Sequence, residues 1–317
     1  MAINKYMQIA LKAISNLDID IKKNYRLIRQ LERAVKKPRI KKFTYQAWDY
    51  TVKNGDYEIP MKMFSPSVNN AEGPDNIKYP VIVFLHGGGW TTGDIESYEN
   101  VCLTLSRQTG HIIIAVGYRL APECPFPAAL TDCHKAVESV LRWNSVSNSP
   151  HKLTLMGDSA GGNLAAAVSL YMRDRGEKTA DRQILIYPAA YNDHTENSPF
   201  PSVSENGKDY VLTSKMICDY MDLYCGETNR DNPYLAPLLA KDFTGQPDTL
   251  IITAQYDPLR DEGEQYGRKL EEAGNYVSVC RIEDALHGYF VLPTKFSAVK
   301  KTYEMINRFL REDYKKL

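Results

Sequence analysis

Hydrophobic and polar positions along this chain follow two periods, and the switches between them predict its elements. Trp48 to Lys53 and Tyr57 to Phe64 flank Asn54-Gly55, the dipeptide preferred in two-residue hairpin turns, so residues 48–64 predict an antiparallel pair. Apolar runs of strand length recur near 81–85, 111–116, 151–156, 183–187, 249–254 and 276–282, and segments of helical periodicity separate them. Strands alternating with helices require a mainly parallel sheet with helices on its faces, which is the α/β class. The first forty residues do not fit the sheet. Ile3, Met7, Ala10, Ile14 and Leu17, then Ile21, Tyr25, Ile28 and Val35, recur at helical spacing and predict two amphipathic helices.

Chemistry concentrates where one apolar run gives way to helical spacing. Lys152-Leu153-Thr154-Leu155-Met156 leads into Gly157-Asp158-Ser159-Ala160-Gly161-Gly162. A sharp strand-to-helix turn drives a serine toward an unfavourable backbone conformation and requires glycine two residues to either side. It exposes the Ser159 hydroxyl at the strand end and leaves the Ala160 N–H unpaired in the first helical turn, ready to donate to a developing oxyanion. The five-residue motif alone is weak, arising by chance in about one chain in ten of this length. Context strengthens it. Val81-Ile82-Val83-Phe84-Leu85-His86-Gly87-Gly88-Gly89-Trp90 reads as a buried strand running into bare backbone, where N–H groups approach a substrate oxygen unobstructed. A merely flexible glycine loop would not be expected to follow five buried-strand residues and end in tryptophan.

A serine nucleophile needs a base, and the base needs an acid to orient it. With the chain order nucleophile, acid, base, only His194 and His287 qualify as base. His287 opens a loop after the strand Tyr276–Ile282. His194, among Asn192, Asp193, Thr195 and Glu196, reads as a surface-loop histidine. The run Thr249–Ala254 ends in Gln255-Tyr256-Asp257-Pro258, so Asp257 stands at a strand end just before a helix. Aspartate is equally preferred as a helix N-cap, and the sequence leaves both roles open. Asp261 and Glu262 read as complements of the helix dipole or of the fold, and Glu283 and Asp284 as solvated residues preceding the loop.

Five segments together carry a resemblance: His86-Gly87-Gly88-Gly89-Trp90, Tyr118-Arg119-Leu120-Ala121-Pro122-Glu123 with Pro125-Phe126-Pro127-Ala128, Gly157-Asp158-Ser159-Ala160-Gly161-Gly162, Asp257-Pro258-Leu259-Arg260-Asp261-Glu262-Gly263, and His287-Gly288-Tyr289. In this order the chain resembles the hormone-sensitive-lipase-like carboxylesterases of the α/β-hydrolase superfamily. The resemblance implies an α/β-hydrolase fold over 1–317, a single domain with a helical cap contributed by 1–45 and by about 191–229, where Met216, Tyr220, Leu223 and Tyr224 point to a helix. Helices packed outside the domain are the alternative. It further implies Ser159, Asp257 and His287 as catalytic triad, and Gly88, Gly89 and Ala160 as oxyanion donors with Gly87 as an added candidate. Trp90, Asp158 and Tyr289 are expected at the substrate. Arg119, Glu123 and His86 are expected to brace the glycine loop. Cys124, where histidine is common, and Ala236, where serine is common before Pro237-Leu238, depart from the pattern.

The implied reaction is hydrolysis of short- to medium-chain acyl esters of small molecules through an acyl-enzyme, with no cofactor and no metal. An amidase or formamidase would use the same triad. A non-catalytic binding protein on this scaffold would be expected to lack the histidine that His287 supplies. Thirty-nine basic and 39 acidic residues leave no net field for nucleic acid or an anionic membrane. The basic run Lys36–Lys42 reads as a solvated linker more readily than as an anion patch. Six cysteines without C-x-x-C spacing fit reduced thiols of a cytoplasmic protein. No stretch is long enough to span a bilayer and no signal-peptide region is apparent, so neither leader nor anchor is expected. Homo-oligomerisation stays open.

Overall fold

The computed structural model describes residues 20–35, 47–66, 79–146 and 152–311. Its frame is an eight-stranded sheet in the order β1-β2-β4-β3-β5-β6-β7-β8. The strands are β1 (Ala47–Asn54), β2 (Tyr57–Phe64), β3 (Val81–Leu85), β4 (Ile112–Val116), β5 (Leu153–Asp158), β6 (Arg182–Ile186), β7 (Asp248–Tyr256) and β8 (Val277–Leu286). The β1–β2 hairpin turns at Asn54–Tyr57, as the Asn-Gly signal requires, and β2 joins β4 antiparallel; all later pairings are parallel.

The helices are α1 (Ile21–Val35), α2 (Glu99–Thr109), α3 (Ala128–Val146), α4 (Ala160–Asp174), α5 (Pro201–Asn206), α6 (Ser214–Cys225), α7 (Arg260–Glu272) and α8 (Ser297–Leu310). They explain why the central strands read as unbroken apolar runs. Val81, Val83 and Leu85 of β3 pack on one face with Leu130 and Val137 of α3, Leu164 and Ala167 of α4, and Leu270 of α7. Ile82 and Phe84 face the other way, into a second core with Leu103 and Leu105 of α2 and Ile306 and Phe309 of α8. A parallel strand covered on both sides has no solvent face to alternate toward.

The end of β8 revises the sequence reading. Strand β8 runs four residues beyond the expected end, because a register irregularity between Ala254 and Tyr256 lets pairing resume at Tyr256 and Leu286. Glu283 and Asp284 are therefore strand residues. Glu283 is exposed, but Asp284 is half-buried with φ 59° and its N–H donates to Gln255 Oε1 at 2.7 Å. Of the two predicted N-terminal helices, the second is α1, which packs on α6; the first, like the basic run 36–42, lies outside the described residues.

Candidate active site

Ser159 sits between β5 and α4 with φ 55° and ψ −120°, a sparsely populated positive-φ conformation that costs a residue with a Cβ about 1–3 kcal/mol. The surroundings hold it there. Its N–H donates to Ile186 O at 2.8 Å, and the flanking glycines are packed against backbone: a Cβ on Gly157 would lie 2.2 Å from Gly161 O, and one on Gly161 2.0 Å from Leu85 O. Any larger residue would push the elbow out of the sheet.

The loops after β7 and β8 bring the remaining groups to this elbow. Ser159 Oγ is 2.9 Å from His287 Nε2, and His287 Nδ1 is 2.6 Å from Asp257 Oδ2. The two readings of Asp257 are reconciled in one carboxylate. It is fully buried; Oδ2 faces the imidazole while Oδ1 accepts the Leu259 N–H at 2.9 Å, fixing the turn into α7. The imidazole also packs against Tyr187, ring centroids 4.7 Å apart.

The glycine loop forms the opposite wall. Gly88 O accepts the N–H groups of Thr91 at 3.1 Å and Thr92 at 2.8 Å, closing a tight turn with Gly88 at φ 115° and Gly89 at φ 59°. Gly88, Gly89 and Ala160 all line a cavity of about 220 Å³ that also contains Ser159 and His287. Gly87 does not join the donor set, because its N–H is engaged by Asp158 Oδ1 at 2.9 Å.

Asp158 lines the cavity, yet its carboxylate faces the fold: Oδ2 accepts the hydroxyl protons of Tyr98 at 3.0 Å and Tyr187 at 3.4 Å. Burial, assisted by the nearby Asp158 charge, raises the Tyr187 phenol far above its ordinary value, so it remains a donor. Asp158 is thus a brace between the two glycine motifs. Tyr289 is likewise displaced from the substrate role. It is 4% exposed, absent from the cavity wall, and its hydroxyl is 2.6 Å from Thr302 Oγ1 of α8. Of the three residues expected at the substrate, Trp90 keeps a face on the cavity, with its indole stacked on Tyr224 at 4.6 Å and its Nε1–H donating to Asn163 Oδ1 at 3.2 Å.

His86 stacks on Tyr118 at 4.3 Å, and the Tyr118 hydroxyl donates to His86 O at 2.7 Å. Arg119 forms a bidentate pair with buried Asp132 of α3, donating from Nε and Nη2 at 2.8 Å each. His194 is a correction. It is 1% exposed, not on the surface, and its Nε2 is 2.7 Å from Oε2 of fully buried Glu262. Glu262 Oε1 also accepts the N–H groups of Ala190 at 2.7 Å and Tyr191 at 3.2 Å. His194 and Glu262 together tie the chain after β6 to α7, and neither lines the cavity at Ser159.

The cavity's apolar side includes Met216 and Tyr220, two of the residues that marked a helix in the expected cap segment. Val211, Leu212, Met216, Ile217 and Tyr220 line it from the segment between β6 and β7, with Leu259 and Val291 from the loops. Val211, Leu212, Ile217 and Val291 carried no such mark in the sequence.

Against known families, residues 82–291 match the family model described as alpha/beta hydrolase fold, about two thirds of the chain. The chain belongs to the α/β-hydrolase family. Among curated relatives, this hydrolase is 36% identical to Esterase LipI of Mycobacterium tuberculosis over 219 residues, 68% of this chain and 67% of that protein. It is 33% identical to an arylesterase of Saccharolobus solfataricus over 271 residues, 84% of this chain and 83% of that one. Among solved structures, the esterase of Pyrobaculum calidifontis superimposes with a TM-score of 0.82 at 29% identity, covering 96% of both chains. Within the α/β-hydrolases the chain falls in the hormone-sensitive-lipase-like carboxylesterase group.

Proposed function

We propose that this protein is a serine carboxylesterase that hydrolyses short- to medium-chain acyl esters of small molecules. The carrying observation is the relay from Ser159 Oγ through His287 to Asp257, which opens into a cavity of about 220 Å³ walled by Gly88, Gly89 and Ala160. The named relatives, an esterase and an arylesterase, support the ester class.

In the proposed reaction the substrate carbonyl carbon lies at Ser159 Oγ. His287 Nε2 takes the hydroxyl proton as Oγ attacks, and buried Asp257 holds Nδ1–H and stabilises the imidazolium. The carbonyl oxygen gains charge toward the N–H groups of Gly88, Gly89 and Ala160, whose donors sit on a preformed turn and a helix start and need no reorganisation. His287 gives its proton to the leaving alcohol. Water, deprotonated by His287 in turn, attacks the acyl-enzyme and releases the acid.

The reading includes one domain with a cap built from α1 and from 191–229. Val211, Leu212, Met216, Ile217 and Tyr220 give the acyl chain apolar contact from that segment, at about 0.8 kcal/mol per buried methylene. The test is a p-nitrophenyl ester series from two to sixteen carbons, with an anilide and N-formylkynurenine alongside, on wild type and Ser159→Ala. Activity should peak at short or medium chains and fall by on the order of a million-fold in Ser159→Ala. A variant keeping a tenth of wild-type turnover would remove Ser159 from the reaction, and faster anilide or formamide cleavage would reassign the substrate class.

A further inference from the structure

The N-terminal helix reaches the glycine turn through one side chain. Arg29, midway along α1 and 20% exposed, donates from Nε to Thr91 O at 2.6 Å and from Nη2 to Ala121 O at 2.7 Å. Its Nη1 and Nη2 also hold the Glu123 carboxylate at 3.0 and 2.9 Å. Those two carbonyls belong to segments already joined, since Ala121 N–H donates to Trp90 O at 2.9 Å. Thr91 itself closes the turn on Gly88 O. One guanidinium therefore staples the far side of the turn that carries Gly88 and Glu123's own loop to the same helix. That helix is fastened at two further points: Lys22 pairs with Asp222 of α6, and Arg33 Nε is 2.6 Å from Asp94 Oδ2, just past the turn.

We infer that Arg29 is a positioning residue for the oxyanion turn, so that docking of α1 sets the strength of the Gly88 and Gly89 donors. The inference rests on the oxyanion role proposed above. A lysine could reach one carbonyl but not both, because only a planar fork carries donors in several fixed directions. Removing the staple frees the Thr91 and Ala121 carbonyls to take water and lets the turn relax, while Ser159, His287 and Asp257 keep their places. An effect on the oxyanion appears in the transition state and not in substrate binding.

The experiment compares wild type, Arg29→Met, Arg29→Lys and Glu123→Gln by kinetics on p-nitrophenyl butyrate and by affinity for a trifluoromethyl ketone, which closes on the serine to form an oxyanion. Arg29→Met should lower kcat about tenfold with KM within threefold, and weaken the ketone by the same factor. Arg29→Lys should recover part of both. Glu123→Gln keeps the two carbonyl contacts and serves if Arg29→Met does not fold; it should move both readouts in the same direction, by less. A raised KM with kcat and ketone affinity unchanged in the folded variants would overturn the inference and leave Arg29 as a fastener of the cap alone. Stoichiometric phosphonylation of Ser159 in the wild type separates the two claims. Failure there refutes the serine-esterase reading, whereas labelling of wild type and Arg29→Met at equal rates refutes only the role of Arg29.

Discussion

Gly89→Ala offers a test in which two physical costs can be read on separate instruments. At φ 59° an L-residue carries a backbone cost of about 1–2 kcal/mol, and that cost falls on the fold. The second cost is local. The new Cβ would lie 2.4 Å from Tyr220 Cγ and 2.5 Å and 2.8 Å from Cδ1 and Cδ2, where carbon atoms rest at about 3.5–4.0 Å. Either the α6 ring or the glycine turn must therefore move by about 1 Å. A displacement of that size at a reacting centre costs about 100-fold, and loss of one oxyanion donor about 100- to 1,000-fold. We expect kcat/KM to fall about 100-fold or more and Tm to drop with it. Tyr220→Ala removes the obstacle without touching φ. In that background Gly89→Ala should cost less than about tenfold in kcat/KM while the Tm decrement persists, a coupling of about 1.4 kcal/mol or more between residues in contact. The assay is kcat/KM on p-nitrophenyl butyrate and thermal unfolding for all four proteins. An equal kinetic loss in both backgrounds would refute the steric account, and a single variant retaining more than a tenth of wild-type kcat/KM would refute the donor turn itself.

Two further outcomes follow from other contacts. His194→Ala leaves the fully buried Glu262 carboxylate short of its Nε2 partner, so stability should fall by about 3 kcal/mol while kcat of the folded fraction changes less than tenfold; unfolding curves with active-site titration check this, and a large kcat loss at unchanged stability would move His194 into the chemistry. The hydrogen bonds from Arg29 hold the Glu123 carboxyl below its ordinary 4.5 despite some burial; a depressed folded value means the stabilisation is complete above about pH 4.5 and lost as pH falls through the folded value, so the Tm advantage of wild type over Glu123→Gln should vanish in acid, and an advantage that grows with acidity would contradict the pairing.

What the sequence made legible was local. The placement of Ser159 could be read because a strand, a glycine-flanked turn and a helix start occupy adjacent residues, and that of Asp257 and His287 because each directly follows a strand. His194 was misread for the converse reason. Its neighbours in sequence are polar, while the Glu262 that buries it lies 68 residues away. Gly87 and Tyr289 failed in the same manner: the Asp158 carboxylate and the Thr302 hydroxyl that claim them are tertiary partners. Strand β8 outran its prediction because pairing past an irregularity leaves no apolar mark on Glu283 and Asp284. Arg29 is one arginine on an amphipathic helix until the turn it holds is seen.

The order of strands has a consequence for when the protein becomes active during its own synthesis. The glycine turn and Ser159 arrive with β3 and β5 near the sheet centre, but Asp257 and His287 follow β7 and β8, the last two strands of the chain. Contacts of such long sequence separation are the slowest to form, and a chain emerging from the ribosome at about 5–20 residues per second acquires the proposed nucleophile several seconds before the proposed base. With the proposed triad, a nascent chain stalled before residue 287 would hold an inert serine, so the first ester it cleaves would report that the C-terminal edge of the sheet has closed.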